Sequence, residues 1–310
     1  MTRTPLPASV GGHWVGLACV AKGPARPALR VEVTAGRRLM LRQADQVVLL
    51  GVQRARNQGV YYARTGRYRS PLPPLTADHA RRMRETSLDD DAWAARWTHK
   101  YLDLLQVADN GPLHAGDWNL AWGMPSWTVA GHWQRLTTVD PDHGHITWFG
   151  CGDPEDDQRD ILPLRPLSPA GAARVRSYRR QAREGIMPPA LLWWVSGLNT
   201  LLVLDGHDRI AAALAEYTLP AVVVLAPAAG PSTAVQGRLV RAYEGRRQQS
   251  RTSDKTHIAA ITRRFAGQLN DAIRSEGRTR AWPLPGGTAD WDRQATQLVP
   301  TWTSRPAATV

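Results

Sequence analysis

Residues Asp205-Gly206-His207-Asp208-Arg209 place two acids, an imidazole, a guanidinium and a glycine in one unbroken run. The run follows the apolar stretch TLLVL and precedes an Ala-rich segment, so it reads as a strand-to-helix junction. Gly206 would let the backbone turn sharply and approach a ligand. The first N–H groups of the helix would point at that turn, and the helix dipole favours an anion there. Arg209 supplies a planar fork suited to phosphate at the mouth of such a pocket. His207 could donate to a phosphate oxygen or shuttle a proton, and Asp205 could bind a metal ion or accept a proton. Two readings fit these residues. One is a small phosphate cradle of Gly206, His207, Asp208 and Arg209. The other is a structural turn in which Asp208 caps the helix and Arg209 pairs with an acidic neighbour.

The elements that must position this loop are legible on both sides. Ser168-Pro169 opens a helix that runs through Val175 and closes at Gly185, a suitable residue for the position after a helix. ALLWWV (190–195) predicts a strand, SGLN a turn, TLLVLD (200–205) a second strand, Ile210–Glu216 a helix, and PAVVVL a third strand. Residues 186–204 form 19 uncharged positions, the length of a membrane span. Pro188-Pro189 near the start, the SGLN break and the Trp and Val content favour two short buried strands instead, and no membrane contact is expected.

Element order, turn and loop together resemble the ParB/sulfiredoxin-like family. The matching residues are Gly185-Ile186-Met187-Pro188-Pro189, the hairpin 190–205, Gly206-His207-Asp208-Arg209 and the exit Leu219-Pro220-Ala221-Val222-Val223, about a fifth of the chain. The resemblance implies a small mixed sheet with helices and nucleotide binding at the Gly-x-x-Arg loop, with ATP or CTP and Mg2+ as the expected cofactors. Sulfiredoxins carry a catalytic Cys just after this glycine; the position here is His207, so reduction of sulfinic acids is not expected. ParB proteins of the CTP-switch type carry Gly-Glu-Arg-Arg, of which only the last Arg is matched, by Arg209. The free-serine kinase branch carries Asp-Gly-His-His-Arg, matched by Asp205, Gly206, His207 and Arg209, with Asp208 in place of the second His. Phosphoryl transfer also needs a base for the acceptor hydroxyl. Glu184 is the nearest candidate in sequence, its other reading being a solvated carboxylate at a helix end.

The rest of the chain frames this segment. Its 310 residues, 43% hydrophobic and 21% charged, have a globular composition long enough for about two domains. Lys and Arg number 39 but only three are Lys, and with 27 acids the net charge is +12. Residues 231–310 hold thirteen basic and six acidic side chains, so the excess is concentrated there. The two cysteines, far apart, exclude a disulfide scaffold or a Cys-ligated zinc module, and a reducing, cytoplasmic setting is expected. LRVEV (29–33) and QVVLLGV (46–52) predict strands with Gly36 in the turn region between them. Thr76 caps a helical stretch over 77–106, which Asp89-Asp90-Asp91 breaks in two. The Trp-rich 112–150 predicts short strands, its indoles serving as core and rim or as a stacking platform. His143-Gly144-His145 predicts a turn entering a strand. Residues 232–275 predict two helices around a basic run at Arg246, Arg247 and Arg251, and the tail carries a short helix.

The expected class is therefore α/β in the broad α+β sense. The expected division is a mixed, Trp-rich N-terminal region (1–165), a nucleotide-binding domain (166–230) and a basic helical region (231–310). The expected activity is nucleotide binding, with phosphotransfer or hydrolysis as its enzymatic form. Asp205, His207 and Glu184 are the catalytic candidates, and Asp205 is also the metal candidate. A nucleic-acid partner held by residues 231–310, or an inactive interaction protein, are the alternatives.

Overall fold

The structure is a computed structural model; it describes residues 2–7, 12–53, 59–125, 133, 135–136, 142–147, 161–228, 233–249, 257–262, 265 and 277–301. The acidic stretch 152–157, Arg251, Leu269 and Ile273 lie outside the described residues. His143-Gly144-His145, expected as a turn entering a strand, is already strand, paired with Ala63, Tyr62 and Tyr61.

Among the described residues the strands fall into two mixed sheets. The first has seven strands: β1 (Arg3–Pro5), β2 (Gly16–Ala21), β7 (Gly116–Trp122), β12 (Val222–Pro227), β10 (Ala190–Val195), β11 (Thr200–Asp205) and β9 (Ile161–Pro163), in that spatial order. The second has six: β13 (Ala281–Pro283), β3 (Leu29–Thr34), β4 (Arg38–Gln43), β5 (Gln46–Gln53), β6 (Gly59–Arg64) and β8 (His143–Thr147). The helices are α1 (Ala77–Glu85), α2 (Asp90–Gln106), α3 (Ala173–Arg183), α4 (His207–Ala215), α5 (Thr233–Gln249) and α6 (Gly287–Leu298). Among the described residues no helix is long and apolar enough to cross a membrane. Residues 190–205 form the expected hairpin, Val195 facing Thr200 across the four-residue turn.

The first sheet is buried on both faces, which explains why its central strands are apolar without alternation. Leu191, Trp193 and Val195 of β10, Leu202 and Leu204 of β11, and Val223 and Leu225 of β12 join the main core. That core also holds Trp97, Tyr101 and Leu102 of α2 and Leu29, Leu41 and Tyr62 of the second sheet. The intervening residues Leu192, Trp194, Leu201, Val203, Val222 and Val224 face the opposite side with Ile210 of α4. The two-residue period of the strands sorts neighbours between the two cores. Trp97 and Trp118 are fully buried, so truncating either to Ala would cost about 3–5 kcal/mol. Trp133 is buried too, so the described indoles of the Trp-rich region serve mainly as core.

Three local expectations are met atom by atom. The Thr76 side chain accepts from the His79 N–H and caps α1. Asp89 does the same for α2, accepting from the Ala92 N–H at 2.7 Å, so the aspartate run is helix punctuation. Gly185 follows α3 with φ +69, the left-handed conformation that ends a helix. The passage between residues 33 and 46 departs from expectation. It holds a whole strand, β4, paired to both β3 and β5, where the sequence suggests only a turn. Arg38, Arg42 and Gln43 hide its apolar centre, Leu39-Met40-Leu41, which is buried on both faces of the second sheet.

The first sheet crosses the boundary expected near residue 165. β12 pairs with β7, which pairs with β2, so strands from 3–21, 116–122 and 161–227 form one hydrogen-bonded surface. The C-terminal tail likewise belongs to the second sheet: β13 extends β3, and Trp291 of α6 donates from Nε1 to the Leu39 carbonyl at 2.9 Å. α5 lies against the helical residues 257–262, with the Tyr243 and Phe265 rings stacked 4.6 Å apart.

Candidate phosphate site at the start of α4

Gly206 sits between β11 and α4 with φ +91, a conformation that costs any other residue about 1–2 kcal/mol. A Cβ there would also lie 2.9 Å from the Cα and Cβ of Ala190 and from Arg209 Nε. The turn therefore requires glycine twice, for its backbone and for its space. No side chain caps α4, so the first N–H groups of the helix, which have no acceptor within it, remain for other partners.

Arg209 is not at the mouth of the pocket. It is 2% exposed and points inward. Its Nη2 pairs with Asp205 Oδ2, and its Nη1 donates to the Tyr101 hydroxyl at 3.0 Å. Tyr101 in turn donates to the Pro189 carbonyl. Burial works against the arginine charge, but Tyr101 and Asp205 outweigh it and hold its pKa above the ordinary value. Its Nε, beside Gly206, is buried without an acceptor among the described residues. The second oxygen of Asp205 accepts from Ser70 Oγ at 2.7 Å. Both carboxylate oxygens are thus engaged, one of them by a cation, and the residue does not fit a Mg2+ site in this arrangement. Among the described residues no group of three His, Cys, Asp or Glu could hold a metal ion.

His207 is 1% exposed. Burial first, and then the positive charges of Arg165, Arg64 and Arg209, push its pKa well below the usual histidine range. It is a neutral imidazole whose Nε2 faces the Arg165 N–H at 3.4 Å, with the Tyr68 ring 6.2 Å away. A ring so placed packs the loop and is closed to solvent. Glu184 is also elsewhere. It follows the last turn of α3, where Arg81 donates to it at 3.3 Å, whereas the loop lies beside the first turn of that helix. The step of ten positions from Arg174 to Glu184 spans about 15 Å of helix axis.

Asp208 organises the part of the loop that meets solvent. Its Oδ1 accepts from Ser168 Oγ at 2.7 Å rather than from an N–H of its own helix. Its Oδ2 lies 3.4 Å from Arg174 Nε and 3.6 Å from Arg165 Nη2. The Asp208 side chain is 6% exposed, but Arg165 and Arg174 are 43% and 57% exposed. These separations are longer than a good charge-assisted hydrogen bond, so both guanidinium groups keep donors for another acceptor. The charges sum simply: Arg209 and Asp205 cancel, His207 is neutral, and Asp208 offsets one of two arginines. One positive charge remains, with about half a charge more from the α4 dipole.

The structure thus brings Asp205, Gly206, His207, Asp208 and Arg209 together as the sequence required, but it inverts their accessibility. Arg165, Arg174, Ser70 and Tyr101, none of them singled out from sequence, complete the site together with Ser168, which was read as the start of α3 but donates to Asp208 while the helix itself begins at Ala173. The Asp205–Arg209 pair, at the i, i+4 spacing, was the one visible signal that Arg209 has an internal partner.

No family model, curated protein or solved structure matches the chain.

Proposed function

We propose that the start of α4 is a binding site for the phosphate of a nucleotide, ATP or CTP, on a domain of the ParB/sulfiredoxin-like kind. The observation that carries this reading is the buried Asp208 holding two half-exposed arginines, Arg165 and Arg174, beside an uncapped helix N-terminus. A phosphate there meets the net positive charge and the N–H groups of α4, and the orphaned Arg209 Nε stands beside the same glycine turn. The nucleotide supplies the anion, and the chain supplies orientation through the fixed fork of Arg174 and the turn at Gly206.

The same geometry favours binding without phosphoryl transfer. Asp205 is neutralised by Arg209, His207 is buried and neutral, and Glu184 stands at the far end of α3, so the three groups do not converge on one acceptor. Isothermal titration with ATP, CTP and inorganic phosphate, in EDTA and in Mg2+, tests the reading. Saturable binding that is lost in the Arg165→Ala, Arg174→Ala double variant is the expected result. Absence of binding by the wild type, or unchanged binding by the double variant, overturns it.

A further inference from the structure

α3 carries Arg174, Arg176, Arg179, Arg180 and Arg183 among its eleven residues and no acid. Its inner face, Val175 and Tyr178, packs on Ala211 and Ala212 of α4. Arg176, Arg180 and Arg183 follow one another at i, i+4 and i+7, so they share one face, and all three are exposed. Like charges at this spacing repel, and the acids beside them, Glu184 and Glu216, stand at ion-pair distance without hydrogen-bonding them. Arg180 Nε is 3.8 Å from Glu184 and Arg183 Nε is 3.9 Å from Glu216, beyond hydrogen-bonding distance, while Arg176 Nη1 donates to the Gly171 carbonyl at 2.8 Å. The forks therefore keep donors facing outward along about 10 Å of helix axis.

An exposed aromatic residue follows the acid that meets this helix. Arg179 and Arg183 both reach Glu216, and the next residue is Tyr217. Tyr217 ends α4 in a left-handed conformation, φ +56, with its N–H on the Leu214 carbonyl and the Thr218 N–H on that of Ala213. This is the position where helices ordinarily place glycine, which would adopt it without strain. The chain holds a tyrosine there instead, 99% exposed, with Leu219 66% exposed close by. The ring contributes nothing to the core in return for its backbone strain.

We infer that the Arg176, Arg180 and Arg183 face of α3 and Tyr217 form a binding surface for single-stranded nucleic acid, separate from the site that Arg174 serves at the start of α4. Guanidinium groups pair with phosphates, and a free aromatic ring stacks on an unpaired base, the combination by which single strands are held without sequence preference. A duplex would satisfy the arginines but leaves no base face for the tyrosine.

Fluorescence anisotropy of a labelled, unstructured oligonucleotide with the full chain, over a series of salt concentrations, tests this. Affinity should fall with salt. In Arg176→Gln, Arg180→Gln the slope of log affinity against log salt should drop by about 1.4, at about 0.7 for each phosphate no longer neutralised. Tyr217→Gly should weaken binding roughly ten-fold or more while its melting temperature stays level or rises, because glycine relieves the strained φ; Tyr217→Phe should bind like the wild type. The inference is overturned if the wild type does not bind, if it prefers duplex, or if it binds anionic phospholipid vesicles and not the oligonucleotide. Wild-type affinity in both the arginine pair and Tyr217→Gly overturns it equally, since binding would then reside elsewhere, for instance in residues 231–310.

Discussion

Glu32 on β3 and Asp208 on α4 are both acids removed from solvent and surrounded by arginines. Around Glu32 the contacts are short: Arg30 Nε at 2.7 Å and Arg26 Nη2 at 2.5 Å on one oxygen, Arg42 Nε at 3.0 Å on the other. Arg30 and Arg42 are themselves only 12% and 13% exposed, and Arg30 also donates to the Ala28 and Ala44 carbonyls. Their donors are spent on the protein. Around Asp208 the contacts exceed 3.3 Å and both arginines face solvent. A buried acid whose arginines sit at hydrogen-bonding distance braces a sheet. A buried acid with more distant arginines positions cations for something else. Arg26, at 43%, is as exposed as Arg165, so the length of the contacts, rather than the exposure or the number of the arginines, separates the two.

Breaking the Glu32 cluster should have the largest effect. Glu32→Gln leaves three guanidinium groups without their anion and should destabilise the fold by about 3–5 kcal/mol, read by denaturant unfolding. The pH dependence follows from the same contacts. Burial pushes the Glu32 carboxyl up, but hydrogen bonds from Arg30, Arg42 and Arg26 outweigh it and hold the pKa below the usual carboxylate value. The stabilisation is therefore complete above the unfolded pKa and lost as pH falls through the folded one. The wild type should lose stability on acidification more steeply than Glu32→Gln, and parallel acid limbs would show that the arginines do not favour the ionised acid.

Arg209→Ala should come next, at about 3 kcal/mol, because it leaves Asp205 and the Tyr101 hydroxyl without their shared partner. Thermal denaturation without ligand reads this. An unchanged melting temperature would mean that Arg209 is held in reserve for a ligand, as its place in the loop motif suggests.

That contrast marks how much the sequence disclosed. The hairpin 190–205, the caps at Thr76 and Asp89 and the glycine turn were legible because each is marked locally, the hairpin by a four-residue turn between two apolar runs and the caps by a side chain three positions from its donor. β4 was hidden because its polar ends resemble a turn, and only pairing on both sides reveals its buried centre. The direction taken by Arg209 depends on Tyr101, 108 residues away, and the exposed cations of the site come from the approach to α3 and its first turn. Glu184 illustrates the converse. Nearness in sequence to the loop counted for nothing, because a helix of eleven residues carries its two ends apart.

Asp208→Asn sharpens the comparison at the second cluster. The amide still accepts from Ser168 but removes a negative charge from beside Arg165 and Arg174. Stability should fall by about 1 kcal/mol, much less than at Glu32. Phosphate affinity, measured by titration, should rise, since one unit of like charge leaves the site. A fall in both would mean that Asp208 serves to hold the arginines in place more than to oppose an incoming anion.

Arg174→Gln should have the smallest effect on stability and the largest separation between folding and binding. The side chain is 57% exposed, its ion pair with Asp208 is 3.4 Å long, and its guanidinium also lies over the Tyr178 ring at 5.9 Å. An exposed pair of this kind is worth well under 1 kcal/mol, so the melting temperature should hardly move. The phosphate site, by contrast, loses its most exposed fork and should weaken about ten-fold, the cost of one charge-assisted hydrogen bond. If Arg174→Gln instead destabilised the fold as much as Arg209→Ala, the cluster around Asp208 would be a brace like that around Glu32, and the length of its contacts would no longer distinguish a site from a support.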